Sequence, residues 1–385
     1  MFGLRSLRLG SLFGIPFEID ASWLFVFFLV AATLTTSYFP AAIPDQAPVV
    51  YVALGLVTAI AFFASLVLHE LAHSLVARAG GLRVSRVTLF VFGGVSQLED
   101  EPQSPGSEFV MAAAGPLTSL LIGASCWGLA IVGGLVRAPE WALVPLDYLA
   151  IINVALAIFN LLPGFPLDGG RVLRAALWAA TGDIMKATKW ASRAGQALGT
   201  TLIAVAVFGV LNGTFDFVWL AVMGWFMSTL AVGAYRQQLT RARLAEVPVS
   251  AIMSSPAVLV PAELSLEQMG HSYFLAGRHP RYPVVDDGRV IGLIDIERAG
   301  EVPRALWAET TVGEVATKTL ENAVARPEAS VDSVLPKLEP GGPGAVLVVE
   351  DGRLAGIVTR SDIIKLVIDI TRDRESTKPE TRHGA

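Results

Sequence analysis

Cysteine is almost absent: Cys126 is the single one in 385 residues. That excludes an intrachain disulfide and any metal site built from several thiolates. Cys126 lies in an apolar run, where its ordinary role is packing. Charge is scarce as well. Charged residues make up 16% of the chain, hydrophobic residues 53%, and mean hydropathy is +0.56, whereas soluble domains are typically about one quarter charged. A net charge of −5, with no basic cluster interleaved with aromatics, argues against a nucleic-acid partner. These averages hide a split. Up to about Tyr235 the chain is mostly apolar runs; beyond it, charge is spread as in a soluble domain.

A single stretch of the apolar region stands out. From Val49 to Ala77 there is no Asp, Lys or Arg, and Glu70 is the only glutamate, yet His69, Glu70 and His73 sit together there. Such groups are expensive inside a membrane and usually functional. Two histidines four residues apart lie on one face of a helix, about one turn apart. His-Glu-x-x-His is the pattern by which two imidazoles bind Zn2+ while the carboxylate beside them acts as general base. His69 and His73 are therefore candidate metal ligands and Glu70 the candidate base.

Taken in order, Met1–Ser11 carries Arg5 and Arg8 and reads as a cytoplasmic lead-in to an uncleaved first span. Phe13–Ile19 reads as a short strand at the membrane surface. Spans are expected near Trp23–Tyr38, Val49–Ala77, Phe109–Val136, Leu146–Leu162, Ala194–Leu211 and Phe215–Tyr235. Between the second and third, Arg83–Phe92 alternates like a strand, Gly93-Gly94 breaks it, and Val95–Leu98 is its expected return partner. Such a hairpin must be covered by protein or lie at the surface. Lys186, Lys189 and Arg193 belong to a polar-faced connector. With the N-terminus inside, the inner segments hold Arg5, Arg8, Arg78, Arg83, Arg86, Arg171, Arg174, Lys186, Lys189, Arg193, Arg236, Arg241 and Arg243, and the outer loops only Arg137. This places His73 about 6 Å above the cytoplasmic end of the second span.

Zinc in a catalytic site usually takes three protein ligands and leaves one position open. The other histidines, His271, His279 and His383, lie in the charged region of the chain. Asp168 is the best candidate for the third ligand, since Pro163, Gly164 and Pro166 break the helix before it. A helix-capping role for Asp168 is the alternative reading.

Past the last span, Arg281–Ile294 and Gly344–Val358 are similar to each other, each a strand, an Asp-Gly turn and a strand. Expected boundaries are 1–240 for the membrane domain, 246–300 and 308–370 for the two repeats, and 371–385 for a loose tail.

Together, His69-Glu70-x-x-His73 and Asn160-x-x-Pro-x-x-Pro-x-Asp168-Gly169 resemble the site-2 protease family of intramembrane zinc metalloproteases. Ala114-Gly115-Pro116, the hairpin and the span count are similar to that family too. The resemblance covers about residues 1–240. It implies His69, His73 and Asp168 as zinc ligands, Glu70 as base, and Asn160 as a residue steadying the substrate or oxyanion. It also implies cleavage of a single-span membrane substrate, such as a membrane-bound anti-sigma factor or transcription regulator. The repeats resemble a pair of cystathionine-β-synthase (CBS) domains. That implies a homodimer through the pair, or an adenine nucleotide (ATP, ADP or AMP) near Thr359 and Asp362. In the first repeat Asp295 and Arg298 depart from this pattern.

The fold expected is a polytopic α-helical membrane protein of about six transmembrane helices, with short membrane-associated β strands, plus a soluble α/β CBS domain pair. The expected setting is the cell membrane, with the N-terminus and the CBS pair cytoplasmic. Rival readings are a CBS-gated zinc-dependent transporter or channel, and a non-catalytic membrane scaffold. Paired intramembrane charges tracing a pathway are missing, which counts against the first; the intact Glu70 counts against the second. A CAAX-type membrane metalloprotease shares the first motif but is expected to take a later glutamate as its third ligand.

Overall fold

The computed structural model describes residues 7–90, 93–98, 102–274, 281–318, 323–338, 343–351 and 353–376. The chain forms two compact units, Met1–Gln238 and Leu239–Ala385, so the first ends two residues before the expected position 240.

Six helices of the described residues are long and apolar enough to cross a membrane. They are α1 (Ala21–Ala42), α2 (Pro48–Ala79), α3 (Pro105–Leu135), α4 (Glu140–Asn160), α6 (Ile184–Leu211) and α7 (Val218–Glu246, within the span Phe215–Glu246). Between α4 and α6 lies a shorter amphipathic helix, α5 (Asp168–Thr181). Large apolar side chains on every one of the six long helices are exposed, Phe25 at 68% and Ile151 at 68% among them. Water would not tolerate so large an apolar surface, and lipid does. The interior is built from small residues such as Ala59, Ala112, Gly115, Ala157, Ala175 and Ala191. They let helix backbones approach closely where no hydrophobic effect drives packing.

Local chemistry sets the helix ends. Asp20 caps α1, accepting from the Ser22 N–H at 2.9 Å, and Ser104 caps α3, accepting from the Ser107 N–H at 3.2 Å, with Pro105 at the first helical position. At the start of α5 the chain folds back on itself. A Cβ on Gly169 would lie 2.2 Å from the Leu161 carbonyl oxygen, and one on Gly170 would lie 2.4 Å from backbone atoms of Gly164 and Phe165. Only glycine at both positions lets α5 begin against the end of α4.

Four strands form one sheet in the order β1 (Leu7–Leu12), β2 (Ile15–Ile19), β3 (Val84–Phe90), β4 (Gly93–Leu98). The expected cytoplasmic lead-in is therefore partly strand, pairing with β2 as a hairpin. β2 pairs parallel with β3 through Phe17↔Val87, Glu18↔Thr88 and Ile19↔Leu89. The apolar side chains Ile15, Phe17, Ile19, Val87 and Leu89 cluster with Leu71, which lies between the two motif histidines in α2. The sheet is thus seated on the turn of α2 that carries the motif. The connector lysines Lys186 and Lys189 belong to the first turns of α6, which starts ten residues before the expected span.

The second unit holds two sheets of the same topology, β5 (Val260–Pro261), β6 (Arg281–Asp286), β7 (Arg289–Asp295) and β8 (Val324–Ala325), β9 (Ala345–Glu350), β10 (Arg353–Thr359). The repeats exchange segments, which the linear boundaries 246–300 and 308–370 do not capture. Leu244 and Val249 pack with Val346, Val348 and Val358 in the core of the second repeat, and Ser254 bridges Ile357. Reciprocally, Thr317 bridges Leu293 of the first. The final helix α8 (Arg360–Ser376) continues through the start of the expected loose tail; residues 377–385 lie outside the described residues.

Candidate metal centre

The helix α2 presents His69 and His73 on one face, as their spacing requires, with Nε2 atoms 3.3 Å apart. Asp168, the first residue of α5, places one carboxylate oxygen 3.2 Å from each of those nitrogens. His69 is 2% exposed, and the side chains of His73 and Asp168 are 12% and 19% exposed. The structure therefore brings together the three residues expected as ligands; one donor atom from each lies within 4.8 Å of the others.

The tautomer of His73 follows from its other ring nitrogen. His73 Nδ1 lies 2.7 Å from the Met111 carbonyl oxygen, which can only accept. Nδ1 therefore donates, and in the neutral ring Nε2 is left with a lone pair. His69 Nδ1 lies 2.9 Å from the Ser119 hydroxyl. Both partners sit on α3, and outer-shell bonds of this kind fix the orientation of metal-binding imidazoles.

Three potential ligand atoms this close to one another call for a cation, and the separations fit zinc. Donors about 2.0–2.2 Å from a tetrahedral ion are about 3.3 Å from one another, and the observed separations are 3.2, 3.2 and 3.3 Å. Space is reserved at the same place. A Cβ on Gly115 of α3 would lie 2.1 Å from His73 Nε2 and 2.6 Å from His69 Nε2.

Glu70 lies beside this cluster, against strand β4. A Cβ on Gly94 would come within 2.3 Å of its Cγ, so the strand passes directly over the Glu70 side chain. An edge near Val87–Phe92 would suit an unwound substrate as an added strand, but β3 is not open there. β3 is paired on both sides, by β2 and by β4, and among the described residues the free edge on this side is β4 (Val91 and Phe92 lie outside them).

Asn160 is the last residue of α4 and half-buried; no described hydrogen bond ties its side chain to the trio. Thr359 and Asp362 meet each other in the second unit. The Thr359 N–H and hydroxyl donate to one Asp362 oxygen at 2.9 and 2.8 Å, a cap at the start of α8. In the first repeat Asp295 instead accepts from the Arg298 N–H at 2.8 Å and pairs with Arg281 at 2.8 Å, so its carboxylate is occupied.

Residues 57–135 and 130–202 match the sequence profile of peptidase family M50, and 249–299 and 312–369 match the CBS domain profile. The chain is 37% identical over 370 residues to Rip3 of Mycobacterium tuberculosis, whose name places it among zinc metalloproteases; the match covers 95% of this chain and 94% of that one. The chain belongs to peptidase family M50. It is also 30% identical over 371 residues to a zinc metalloprotease of Methanocaldococcus jannaschii, covering 94% of this chain and 95% of the other. Among solved structures, a site-2 protease from the same archaeon matches with a TM-score of 0.42 and 31% identity, over 60% of this chain and 95% of that one. This M50 peptidase is a multi-pass membrane zinc metalloprotease carrying a CBS pair.

Two contributors to the centre carry no motif in the sequence, the Met111 carbonyl and Ser119; Gly115, which leaves room for an ion, lies in the Ala114-Gly115-Pro116 stretch. The one signal for Ser119 is its four-residue spacing from Gly115 on a shared helix face.

Proposed function

We propose that this M50 peptidase hydrolyses a peptide bond within the membrane-spanning segment of a single-span regulatory protein, on the cytoplasmic side of the bilayer. One observation carries the reading: a three-donor centre with a carboxylate at its side, its two histidines and that carboxylate on a helix long and apolar enough to span a membrane. A zinc ion held by His69, His73 and Asp168 would polarise the scissile carbonyl and make water a nucleophile near neutral pH. Glu70 takes a proton from the attacking water and hands it to the leaving amine. The free edge of β4 offers backbone N–H and C=O groups to a substrate segment that has left its helix, adding it as a strand. Gly94 places that strand beside Glu70. Asn160, from the end of α4, is assigned to steadying the substrate carbonyl. The excess of Lys and Arg in the segments assigned inside supports a cytoplasmic N-terminus and CBS pair.

The test is reconstitution. The purified chain in liposomes with a single-span substrate should cut within the cytoplasmic half of that span. Chelation should stop cleavage and added zinc restore it. Cleavage that survives chelation, or maps to a loop outside the bilayer, contradicts the reading.

Regulation is assigned to an adenine nucleotide at the CBS pair, near Thr359 and Asp362. Both hydrogen bonds from Thr359 fall on one carboxylate oxygen of Asp362, which leaves the other for a ribose hydroxyl. Calorimetry of the full chain with ATP, ADP and AMP should show binding to at least one, weakened in Asp362→Asn, which keeps an acceptor for Thr359. A ligand shifts an equilibrium only by its differential affinity for the two states. Protease activity must therefore change with the nucleotide as well; binding without that response would sink the regulatory role.

A further inference from the structure

The face of α3 that serves the histidines carries one more group, a buried carboxylate. Glu108, Met111, Gly115 and Ser119 are spaced i, i+3, i+7 and i+11, which keeps them on one side of a helix. Glu108 is fully buried, and its Oε1 accepts from Nε of Arg174 on α5 at 2.6 Å; Nη2 reaches the same oxygen. Arg174 is itself 9% exposed, and its guanidinium lies over the ring of Phe165, 5.4 Å from the centroid. Phe165 comes three residues before Asp168 and Arg174 six after it. One guanidinium therefore fixes the segment entering α5 and the helix leaving it, with Asp168 between.

A buried ion pair is a poor source of net stability. An apolar pair of the same volume often does as well or better, because both charges must be desolvated. Here the other oxygen of Glu108 has no partner among the described residues, which adds to that cost. What such a pair does provide is a fixed distance and direction between two helices. We propose that Glu108 and Arg174 are positioning residues for the third metal ligand: they lock α5 to α3 so that the Asp168 carboxylate meets the two imidazoles that α3 orients. α3 then serves all three ligands, Met111 and Ser119 acting on His73 and His69, and Glu108 acting on Asp168 through Arg174. The inference rests on the trio being a metal centre.

The test is a double-mutant cycle on the full-length protein in detergent, read by zinc affinity and by the visible absorption of bound Co2+. Arg174→Met should weaken zinc about 10- to 100-fold, the range for lost outer-shell support. It should also shift the Co2+ bands toward those of Asp168→Ala. In an Asp168→Ala background it should cost nothing further, because the residue it acts through is gone. Ser119→Ala, acting through His69, should keep its effect in that background. If Arg174→Met fails to fold by circular dichroism, Arg174→Lys and Glu108→Gln replace it in the same cycle. A folded variant with wild-type affinity and spectrum, or an equal loss in both backgrounds, overturns the assignment. Failure of the unaltered protein to bind zinc or Co2+ would instead overturn the metal reading itself.

Discussion

Glu70→Gln in the full-length protein is expected to keep its zinc and to lose cleavage by about 10²- to 10⁴-fold, the usual contribution of a positioned acid or base. Glu70 is not one of the three converging donors, so the metal site survives the change. Glutamine has the same shape, and it fits the space that Gly94 leaves over this side chain. What it lacks is the capacity to take a proton from water and return it to the leaving amine. Metal analysis of the purified variant, alongside its rate on a single-span substrate, checks both halves. Undiminished activity with zinc in place would remove Glu70 from the mechanism. In producing cells the same variant should accumulate its natural substrate uncut, and that substrate would then be identified.

The features of this protein that sequence exposes are those written in short range. His69 and His73 share a helix face because of their spacing, and the apolar run around them announces a span. The Pro-Gly-rich stretch before Asp168 shows that the chain turns there and makes Asp168 a candidate, although its approach to α2 crosses about a hundred residues and a capping role stayed open until the family pattern was added. Features that depend on partners distant in the chain stayed hidden. β2 pairs in parallel with β3 across α1 and α2, and no turn signal encodes such a crossover; this is why the free edge lies at β4 and not near Val87. The Met111 carbonyl is backbone and carries no residue signature at all. Exchange of segments between the CBS repeats is invisible for a similar reason, since Leu244 and Val249 look equally suited to either core. The ion pair of Glu108 with Arg174 joins a residue just before the expected third span to one that reads from sequence only as an inner-flank cation.

Asp168→Ala should lower zinc affinity by more than the roughly 10- to 100-fold that loss of an outer-shell partner costs, because it removes a ligand outright. The carboxylate is the only anionic member of the trio, and its oxygen lies 3.2 Å from both imidazole nitrogens. Without it, two neutral nitrogens 3.3 Å apart must hold a divalent ion in a buried site with no charge to compensate it. The fold should persist. α5 is seated by Gly169, Gly170 and the contact of Arg174 with Glu108, none of which the substitution touches. Nor is the carboxylate needed as a cap, since it belongs to the first helical residue and the capping position is Leu167. Competition against a chromogenic chelator measures the affinity, and circular dichroism of the same sample reports the helices. Zinc bound at wild-type affinity by a folded Asp168→Ala protein would mean that a residue outside the trio completes the site. Activity should fall in parallel with zinc content and recover partially at high zinc, a response that Glu70→Gln, whose ligands are intact, should not show.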